Sequence, residues 1–336
     1  MNRAETGTTG GEPLLRVVGL QTWYPIRAGL MRRVVGWIQA ATDVSLELET
    51  GRTLALVGES GCGKSTVGRS ILCLEQPQHG EIFFEGRDLL KQSPSELRAA
   101  RQRLQIIFQD PMASLDPRMR IGDQIAEGMR SFGLVESEAE RRRRVGEMLE
   151  RVQLDPASMD RYPHEFSGGQ RQRICIARAL AVDPKLIVCD ESVSALDVSI
   201  QAQILNLLGD LQQELGLSYL FITHDLSVVR HLAHEVAVMY LGQIVESGPT
   251  RRVFEQPAHP YTRSLLEAIP SIDPERRGAP PPVRGDVPSP SHPPPGCHFH
   301  PRCPEVMDRC RREEPEAYPV EGGHSRCFLC EPDRAP

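Results

Sequence analysis

The chain has 336 residues, 40% of them hydrophobic and 25% charged, which is typical of a globular protein with about two domains. Its formal net charge is −6, whereas a general nucleic-acid-binding protein carries an excess of basic residues. No apolar run approaches the ~20 residues that cross a bilayer, and residues 1–11 lack the charged and apolar regions of a signal peptide. We therefore expect neither an integral membrane protein nor a secreted one, and no nucleic-acid partner.

Short apolar segments alternate with helical patterns in the first 255 residues. Three of these segments, residues 53–57, 186–189 and 219–223, are continuously apolar rather than alternating. Continuous apolar strands are typical of a sheet covered by helices on both faces, so they predict a parallel sheet in an α/β fold. Between residues 108 and 184 the strand signal fades, and we expect a mostly helical insertion. One face of a helix is predicted there by Val145, Met148, Leu149 and Val152.

A glycine-rich segment follows the first apolar strand and precedes a helical pattern. It fits the phosphate-loop pattern G-x-x-x-x-G-K-[ST] and consists of Gly58, Glu59, Ser60, Gly61, Cys62, Gly63, Lys64, Ser65 and Thr66. In such a loop the backbone N–H groups face the phosphates, the lysine reaches the β- and γ-phosphates, and the next hydroxyl binds Mg²⁺. The segment therefore predicts a nucleotide site in which Lys64 and Ser65 have those roles.

Two acidic residues follow the second apolar strand. Asp190 suits the coordination shell of Mg²⁺, and Glu191 is placed to polarise an attacking water. Consecutive Asp and Glu beside a phosphate loop indicate hydrolysis rather than phosphoryl transfer to another substrate.

A second anion site is predicted at the start of a helical run near residue 168. Ser167 can cap that helix, and Gly168 and Gly169, followed by Gln170, leave amides exposed at its positive end. Two anion sites about 100 residues apart look redundant in one chain unless one of them serves the nucleotide of another subunit.

In their order along the chain these motifs resemble those of ABC transporter ATPases, over about residues 14–270. The resemblance implies the P-loop NTPase fold of an ABC nucleotide-binding domain, with a RecA-like core and a helical subdomain at about residues 111–180. It also implies that two ATPase subunits face each other and bind ATP and Mg²⁺ between the phosphate loop of one and residues 167–170 of the other.

The resemblance assigns roles to further residues. Gln109 would sense the γ-phosphate and bind Mg²⁺, and His224 would contact the γ-phosphate and orient Glu191. Asp197 would link the two halves of the dimer. The catalytic set is thus Glu191, His224, Gln109 and Lys64.

Two positions are less well defined by the resemblance. An aromatic residue near the start should stack on adenine, and this is expected to be Tyr24, with Trp23 as the alternative. Ser192 occupies a position where the family usually has proline, a departure that removes no catalytic group.

The oligopeptide/dipeptide importer branch of the family is resembled by residues 108–117, 162–170 and 259–266. Within that branch, the intact signature Ser-Gly-Gly-Gln (residues 167–170), followed by Arg-Gln-Arg, resembles the second (F-type) ATPase subunit of a heterodimeric pair. This implies that ATP-driven dimer closure and Glu191-assisted hydrolysis power peptide import. The expected partners are a second ATPase subunit, two membrane permease subunits and a solute-binding protein, with this chain at the cytoplasmic face of the membrane. Two alternatives stay open: a soluble, non-transport ABC ATPase, and an importer of this branch that carries nickel or another small solute.

Five of the nine cysteines lie in residues 296–330, a segment too short to form a core without disulfides or metal. Gly296 to Pro304 is similar to the tail of oligopeptide/dipeptide ATPases. That resemblance implies a [4Fe-4S] cluster with Cys297, Cys303, Cys310 and Cys327 as ligands. Zinc and unligated thiols remain alternatives, and Cys330 or His324 could replace Cys327.

Proline content divides the chain, because 18 of its 28 prolines lie from residue 257 onward. We expect an ABC nucleotide-binding domain over residues 12–256, a Pro-rich linker over residues 257–295 and a small Cys-rich C-terminal region over residues 296–330.

Overall fold

The computed structural model describes residues 12–29, 31–194, 196–269 and 285–332. In these ranges the strands are β1 (Leu15–Ala28), β2 (Arg33–Leu48), β3 (Thr53–Val57), β4 (His79–Phe84), β5 (Arg87–Asp88), β6 (Leu104–Ile107), β7 (Leu186–Asp190), β8 (Ser218–Thr223), β9 (Glu235–Tyr240), β10 (Gln243–Pro249), β11 (Tyr318–Val320) and β12 (Gly323–Ser325). The α-helices are α1 (Lys64–Ile71), α2 (Pro94–Arg103), α3 (Pro111–Ser114), α4 (Ile121–Ser131), α5 (Glu138–Arg151), α6 (Gly168–Leu180), α7 (Val198–Leu215), α8 (Leu226–Leu232), α9 (Thr250–Glu255) and α10 (Pro260–Glu267).

The larger sheet has the strand order β11-β12-β10-β9-β3-β8-β7-β6 and is parallel from β9 to β6. The three apolar segments form β3, β7 and β8, which confirms the predicted parallel sheet of an α/β fold. Strand β8 lies between β3 and β7, with Val57 opposite Thr223 and Asp190 opposite Ile222. The residues that follow these three strands therefore meet at one edge of the sheet.

A second sheet, antiparallel and ordered β2-β1-β4-β5, covers the side of the molecule on which α1 packs. Its inward side chains, such as Leu15 and Ile82, form one core with Leu56 of β3 and with Val67 and Ile71 of α1. Helix α1 is thereby fixed between the two sheets, and the loop before it is held at the edge where β3 ends.

Helices α3 to α6 fill the chain between β6 and β7, as expected for the helical insertion. The predicted face of α5 is confirmed, because Val145, Met148, Leu149 and Val152 are all buried. They pack in one cluster with α4, α6 and α7.

The C-terminal part of the chain is joined to the larger sheet. Strand β12 pairs antiparallel with β10, with Glu246 opposite Ser325, and β11 completes a hairpin at that edge. The segment expected to be a linker contains α10, because His259 Nδ1 accepts a hydrogen bond from the Tyr261 amide at the helix start and Tyr261 is fully buried. The proline run at residues 280–282 lies outside the described residues.

In the described part of the chain, no helix combines the length and the apolar character needed to cross a membrane.

Candidate nucleotide site

The loop between β3 and α1 is held so closely that two of its positions admit only glycine. A Cβ at Gly63, whose φ is +107°, would lie 1.8 Å from the carbonyl oxygen of Ala40. A Cβ at Gly58 would lie 2.2 Å from the carbonyl oxygen of Met239. The sequence thus folds the loop against neighbouring backbone, with the free amides at the start of α1 beside it.

Lys64 is the first residue of α1, and its side chain is buried, with 3% of its surface exposed. Its ammonium group donates hydrogen bonds to the carbonyl oxygens of Gly58 at 2.9 Å and Glu59 at 3.0 Å. The first turn of α1 contains no acidic residue. The loop therefore combines a fixed cation with a positive helix terminus, an arrangement that attracts phosphate groups.

Asp190, the last residue of β7, lies next to the start of α1. The Ser65 hydroxyl donates to Asp190 Oδ1 at 2.6 Å, and Arg69 is 3.9 Å from Asp190 Oδ2. A hydroxyl and a carboxylate at this separation are oxygen ligands that suit Mg²⁺.

Three predicted residues surround the carboxylate of Glu191. Gln109 Nε2 donates to Glu191 Oε2 at 3.0 Å, while Lys64 Nζ and His224 Nδ1 lie 3.8 and 3.6 Å from Glu191 Oε1. Gln109 and His224 follow the ends of β6 and β8, and Lys64 begins the helix that the phosphate loop joins to β3; the parallel sheet brings the ends of these strands to one edge. A carboxylate in this position can accept a proton from a water molecule.

The backbone turns sharply at Glu191, which has a φ of +47°. Its amide donates to the Ile222 carbonyl at 3.0 Å, and its carbonyl accepts from the Ser194 amide and hydroxyl. Ser192, in place of the family's usual proline, is buried within this turn. The turn is therefore held by hydrogen bonds on both sides of Glu191.

The two aromatic residues considered for adenine stacking have different surroundings. The Tyr24 hydroxyl is 3.5 Å from the Thr66 hydroxyl of α1, whereas the Trp23 indole N–H donates to the Thr42 hydroxyl at 2.9 Å. Tyr24 is thus in contact with the helix that follows the phosphate loop, and Trp23 is tied to β2.

Ser167 caps α6, and its exposed side chain accepts from the Gln170 amide, while the Gln170 side chain accepts from the Ser167 amide. Gly169 lies against α7, because a Cβ there would be 2.6 Å from Ile200 Cγ2. Asp197 precedes α7 without a side-chain capping bond. Among the described residues, the side-chain hydrogen bonds of Ser167 and Gln170 stay within this segment and do not reach the phosphate loop.

Sequence reasoning missed two residues that hold the phosphate loop from the C-terminal side. The guanidinium of Arg302 donates to both Glu59 carboxylate oxygens, at 2.9 and 3.0 Å. The Tyr261 hydroxyl accepts a hydrogen bond from the Glu59 amide at 3.0 Å. No local pattern in the sequence links Glu59 to residues 202 and 243 positions away.

The four cysteines expected as ligands lie around one small cavity, whose lining also includes His300 and Phe299. They are Cys297, Cys303, Cys310 and Cys327. Burial raises the pKa of Cys297 to about 11 and that of Cys327 to about 12, and it also raises the pKa of Cys303. In the residues that the structure describes, no group of three or more His, Cys, Asp or Glu side chains is arranged as a metal site.

The two alternative ligands differ in position. Cys330 directs its thiol towards the carbonyl of Ala258 at 3.9 Å, and His324 lies in β12, at a separate groove beside β10.

Comparisons with known proteins agree with this geometry. Residues 41–194 match the ABC transporter family, and residues 245–310 match the oligopeptide/dipeptide transporter C-terminal region. The chain is 48% identical over 327 residues to the dipeptide transport ATP-binding protein DppF of Escherichia coli K12, a match that covers 97% of each chain. It is 50% identical over 314 residues to the probable peptide ABC transporter ATP-binding protein y4tS of Sinorhizobium fredii, covering 94% of this chain and 89% of the relative.

A solved structure shares the fold with a TM-score of 0.62 and 28% identity, covering 70% of this chain and 99% of its own. It is the dimeric post-hydrolysis state of the ATP-binding cassette MJ0796 bound to ADP and Pi.

Proposed function

This chain belongs to the ABC transporter ATP-binding proteins, and from that premise we propose that it binds and hydrolyses ATP to energise a peptide importer. The observation that carries the proposal is the convergence of Lys64, Gln109 and His224 on Glu191 beside the phosphate loop. The matched C-terminal region and the dipeptide-transport relative support peptides as the cargo. The soluble, non-transport alternative has no comparable support.

In this proposal the phosphates of ATP lie against backbone amides of the phosphate loop and of the start of α1. Lys64 exchanges its bonds to loop carbonyls for the β- and γ-phosphates, since its ammonium already lies over the loop. Tyr24 stacks on adenine, because it is the aromatic residue next to Thr66, whereas Trp23 is engaged by Thr42.

The oxygen atoms of Ser65, Asp190 and Gln109 would hold Mg²⁺. The hydroxyl and carboxylate are already within 2.6 Å of each other, and both are the hard oxygen ligands that this ion prefers. When bound, Mg²⁺ neutralises charge on the β- and γ-phosphates.

Hydrolysis then depends on the position of Glu191. Its carboxylate accepts a proton from a water molecule as the water oxygen attacks the γ-phosphorus and the bond to ADP breaks. His224 contacts the γ-phosphate and keeps Glu191 aimed at the water, and Gln109 links that carboxylate to the helical segment after β6.

Replacing Glu191 with Gln tests this assignment, because the amide keeps the shape but cannot accept the proton. ATP turnover by the purified chain, alone and with its transporter partners, should fall at least about 100-fold while ATP binding is retained. Glu214→Gln, at an exposed glutamate of α7, is the control and should hydrolyse ATP normally. Wild-type turnover by the Glu191→Gln protein would refute the assigned role.

We also propose that the chain works in a dimer of ATPase subunits with two membrane permeases and a solute-binding protein, at the cytoplasmic face of the membrane. Ser167, Gly168 and Gln170 are exposed and unengaged with the phosphate loop, as expected if they complete the nucleotide site of a second subunit together with Asp197. The second subunit is proposed to be a different ATPase, so that the pair is a heterodimer.

For the C-terminal region we propose that Cys297, Cys303, Cys310 and Cys327 hold a [4Fe-4S] cluster, with zinc as the alternative. The proposal is supported by the four thiols lining one cavity. Among the residues that the structure describes, these thiols are not arranged as a metal site. Visible absorption of anaerobically purified protein and metal analysis would distinguish iron–sulfur, zinc and free thiols. We retain as a proposal the division into residues 12–256, 257–295 and 296–330.

A further inference from the structure

The second residue of the phosphate loop is bonded to the C-terminal region of the chain. The Arg302 guanidinium binds both carboxylate oxygens of Glu59 in parallel, and only 6% of the arginine side chain is exposed. Burial opposes the charge on Arg302, but hydrogen bonds to Glu59 and Tyr240 outweigh it and raise the pKa of the guanidinium. The Glu59 side chain is 24% exposed, so the pair is partly buried, and its bidentate geometry fixes orientation far better than an exposed ion pair does.

The same loop residue is held through its backbone. The Glu59 amide donates to the Tyr261 hydroxyl, and Tyr261 packs with Tyr240 and Phe299 in a buried aromatic group. Phe299 comes from the same short segment as Arg302. Both the side chain and the amide of Glu59 are therefore positioned by groups outside the ATPase motifs.

Arg302 and Phe299 belong to the segment bounded by Cys297 and Cys303, which we call the cysteine loop (residues 297–303). The loop is folded tightly: the Arg302 amide donates to the Phe299 carbonyl at 3.0 Å, and the Cys297 amide donates to the Cys310 carbonyl at 2.9 Å. A displacement of the cysteines would move Arg302 with them, because Arg302 precedes Cys303 directly and only four residues of turn, 298–301, join it to Cys297.

The charge of Glu59 gives this contact a consequence for nucleotide binding. An unpaired carboxylate in a loop that receives phosphate groups would repel them, and it would also be free to bond to loop amides that phosphate needs. Arg302 neutralises the carboxylate and directs it away from those amides. Removing the arginine alone should therefore cost more affinity than removing both charges.

We propose that Arg302 is a positioning residue for nucleotide binding, which acts through Glu59 and couples the cysteine loop to the phosphate loop. The inference rests on the proposed function of the phosphate loop as an ATP site. It goes beyond that function by assigning a role in nucleotide affinity to a residue of the C-terminal region.

The test measures the dissociation constant of a non-hydrolysable ATP analogue with Mg²⁺ for the full chain. Arg302→Gln should weaken binding about tenfold. Arg302→Lys keeps the positive charge but cannot make two parallel hydrogen bonds to the carboxylate, and it should weaken binding about threefold. Glu59→Gln and the double variant Glu59→Gln/Arg302→Gln should bind the analogue within about threefold of each other. Once Glu59 is replaced, Arg302 has no carboxylate to neutralise. Arg251→Gln, at an exposed arginine of α9 that pairs with Glu255, is the matched control and should bind like wild type.

The outcomes separate this proposal from the proposed function. If the wild-type chain fails to bind the analogue, the proposed function and this inference both fail. If wild type binds and the Arg302 variants bind equally well, the inference alone is wrong. If Arg302→Gln weakens binding as much in the Glu59→Gln background as in wild type, the inference is also overturned, because Arg302 would then act independently of Glu59. If Arg302→Gln does not fold, the Arg302→Lys protein decides the question.

A second readout tests the coupling from the other side, since coupling between two sites is reciprocal. Hydrogen exchange of the amides in the cysteine loop should slow when the analogue binds to wild type. It should not change in the Glu59→Gln/Arg302→Gln protein. Exchange that is unaffected by the analogue in wild type would contradict the coupling.

Discussion

Single residues in the phosphate loop are constrained by backbone contacts as well as by the nucleotide. Gly63 combines a positive φ with a carbonyl oxygen of β2 that would lie 1.8 Å from any Cβ, so even alanine forces the loop away from β2. Gly63 is thus explained by packing against the antiparallel sheet, and Gly58 by packing against β9, in addition to the phosphate geometry that the pattern predicts.

Gly63→Ala is expected to weaken ATP binding at least about tenfold, because the loop amides and Lys64 cannot keep their positions. The measurement is the dissociation constant of an ATP analogue. Gly209→Ala is the control: this glycine lies inside α7 with open space around it, so alanine should leave binding unchanged and stabilise the helix by about 1 kcal/mol. Equal affinity of the Gly63→Ala and wild-type proteins would contradict the proposed packing constraint.

Among the secondary-structure elements, the sequence best predicted the strands that neighbouring elements bury completely. Strands β3, β7 and β8 are buried along their whole length, so their apolar runs identified them directly. Strands β11 and β12 have three residues each and are partly exposed, and they exist because the edge of β10 accepts them. Nothing in their own pattern predicts this pairing.

The contact between Arg302 and Glu59 was unpredictable for the same reason, since it depends on how α10 and the cysteine loop pack on β9. Of the predicted catalytic residues, Gln109, Glu191 and His224 follow strand ends by one or two residues, and parallel strands end at one edge of a sheet. Lys64 was predictable from the phosphate-loop pattern that joins β3 to α1. The order of these residues along the chain resembled a known family. Arg302 lies in the Gly296–Pro304 segment, which also resembled that family, but there the resemblance assigned roles to the cysteines alone.

A buried polar network joins β10, α9 and α10. Glu246, itself buried, pairs with Arg252 and accepts hydrogen bonds from the amides of Ala258 and His259, each at 2.9 Å. The His259 ring then caps α10 by accepting from the Tyr261 amide. This network explains why the segment after residue 257 starts as a helix despite its prolines.

The network makes stability depend on pH. Burial, assisted by the charge of Arg263, lowers the pKa of His259 to about 3, whereas histidine in an unfolded chain has a pKa of about 6.5. Between these values the unfolded chain binds a proton that the folded chain excludes. The contribution of neutral His259 to the free energy of unfolding should therefore be complete above about pH 7. It should fall as the pH is lowered, by at most about 1.4 kcal/mol per pH unit.

His259→Asn should reduce this dependence, because asparagine can still cap α10 but does not titrate. Thermal unfolding from pH 7 to pH 4 would measure the change, with His231→Asn at an exposed histidine as the control. His234 and His298, whose pKa values burial also lowers, should leave a residual slope in every variant. Identical pH profiles for wild type and His259→Asn would show that His259 does not carry the effect.

For the whole molecule, three parts of the chain meet at one site. The larger sheet brings the ends of β3, β6, β7 and β8 together, the antiparallel sheet supports the phosphate loop from one side, and the C-terminal region holds Glu59 from the other. Within the described part of the chain, the exposed residues Ser167, Gly168 and Gln170 at the start of α6 make no side-chain hydrogen bond to the phosphate loop, and in the proposed dimer they would complete the nucleotide site of the second subunit. Under that proposal each chain contributes half of each of two nucleotide sites.

The most direct test of the account is ATP-driven dipeptide uptake by vesicles that contain the complete transporter assembled with this chain. Uptake should require ATP at the face where this chain lies and should fall at least about tenfold when the chain carries Glu191→Gln, with the assembly intact. Uptake at the wild-type rate with the Glu191→Gln chain, or ATP hydrolysis that never moves a peptide, would contradict the claim that hydrolysis at this site powers peptide import.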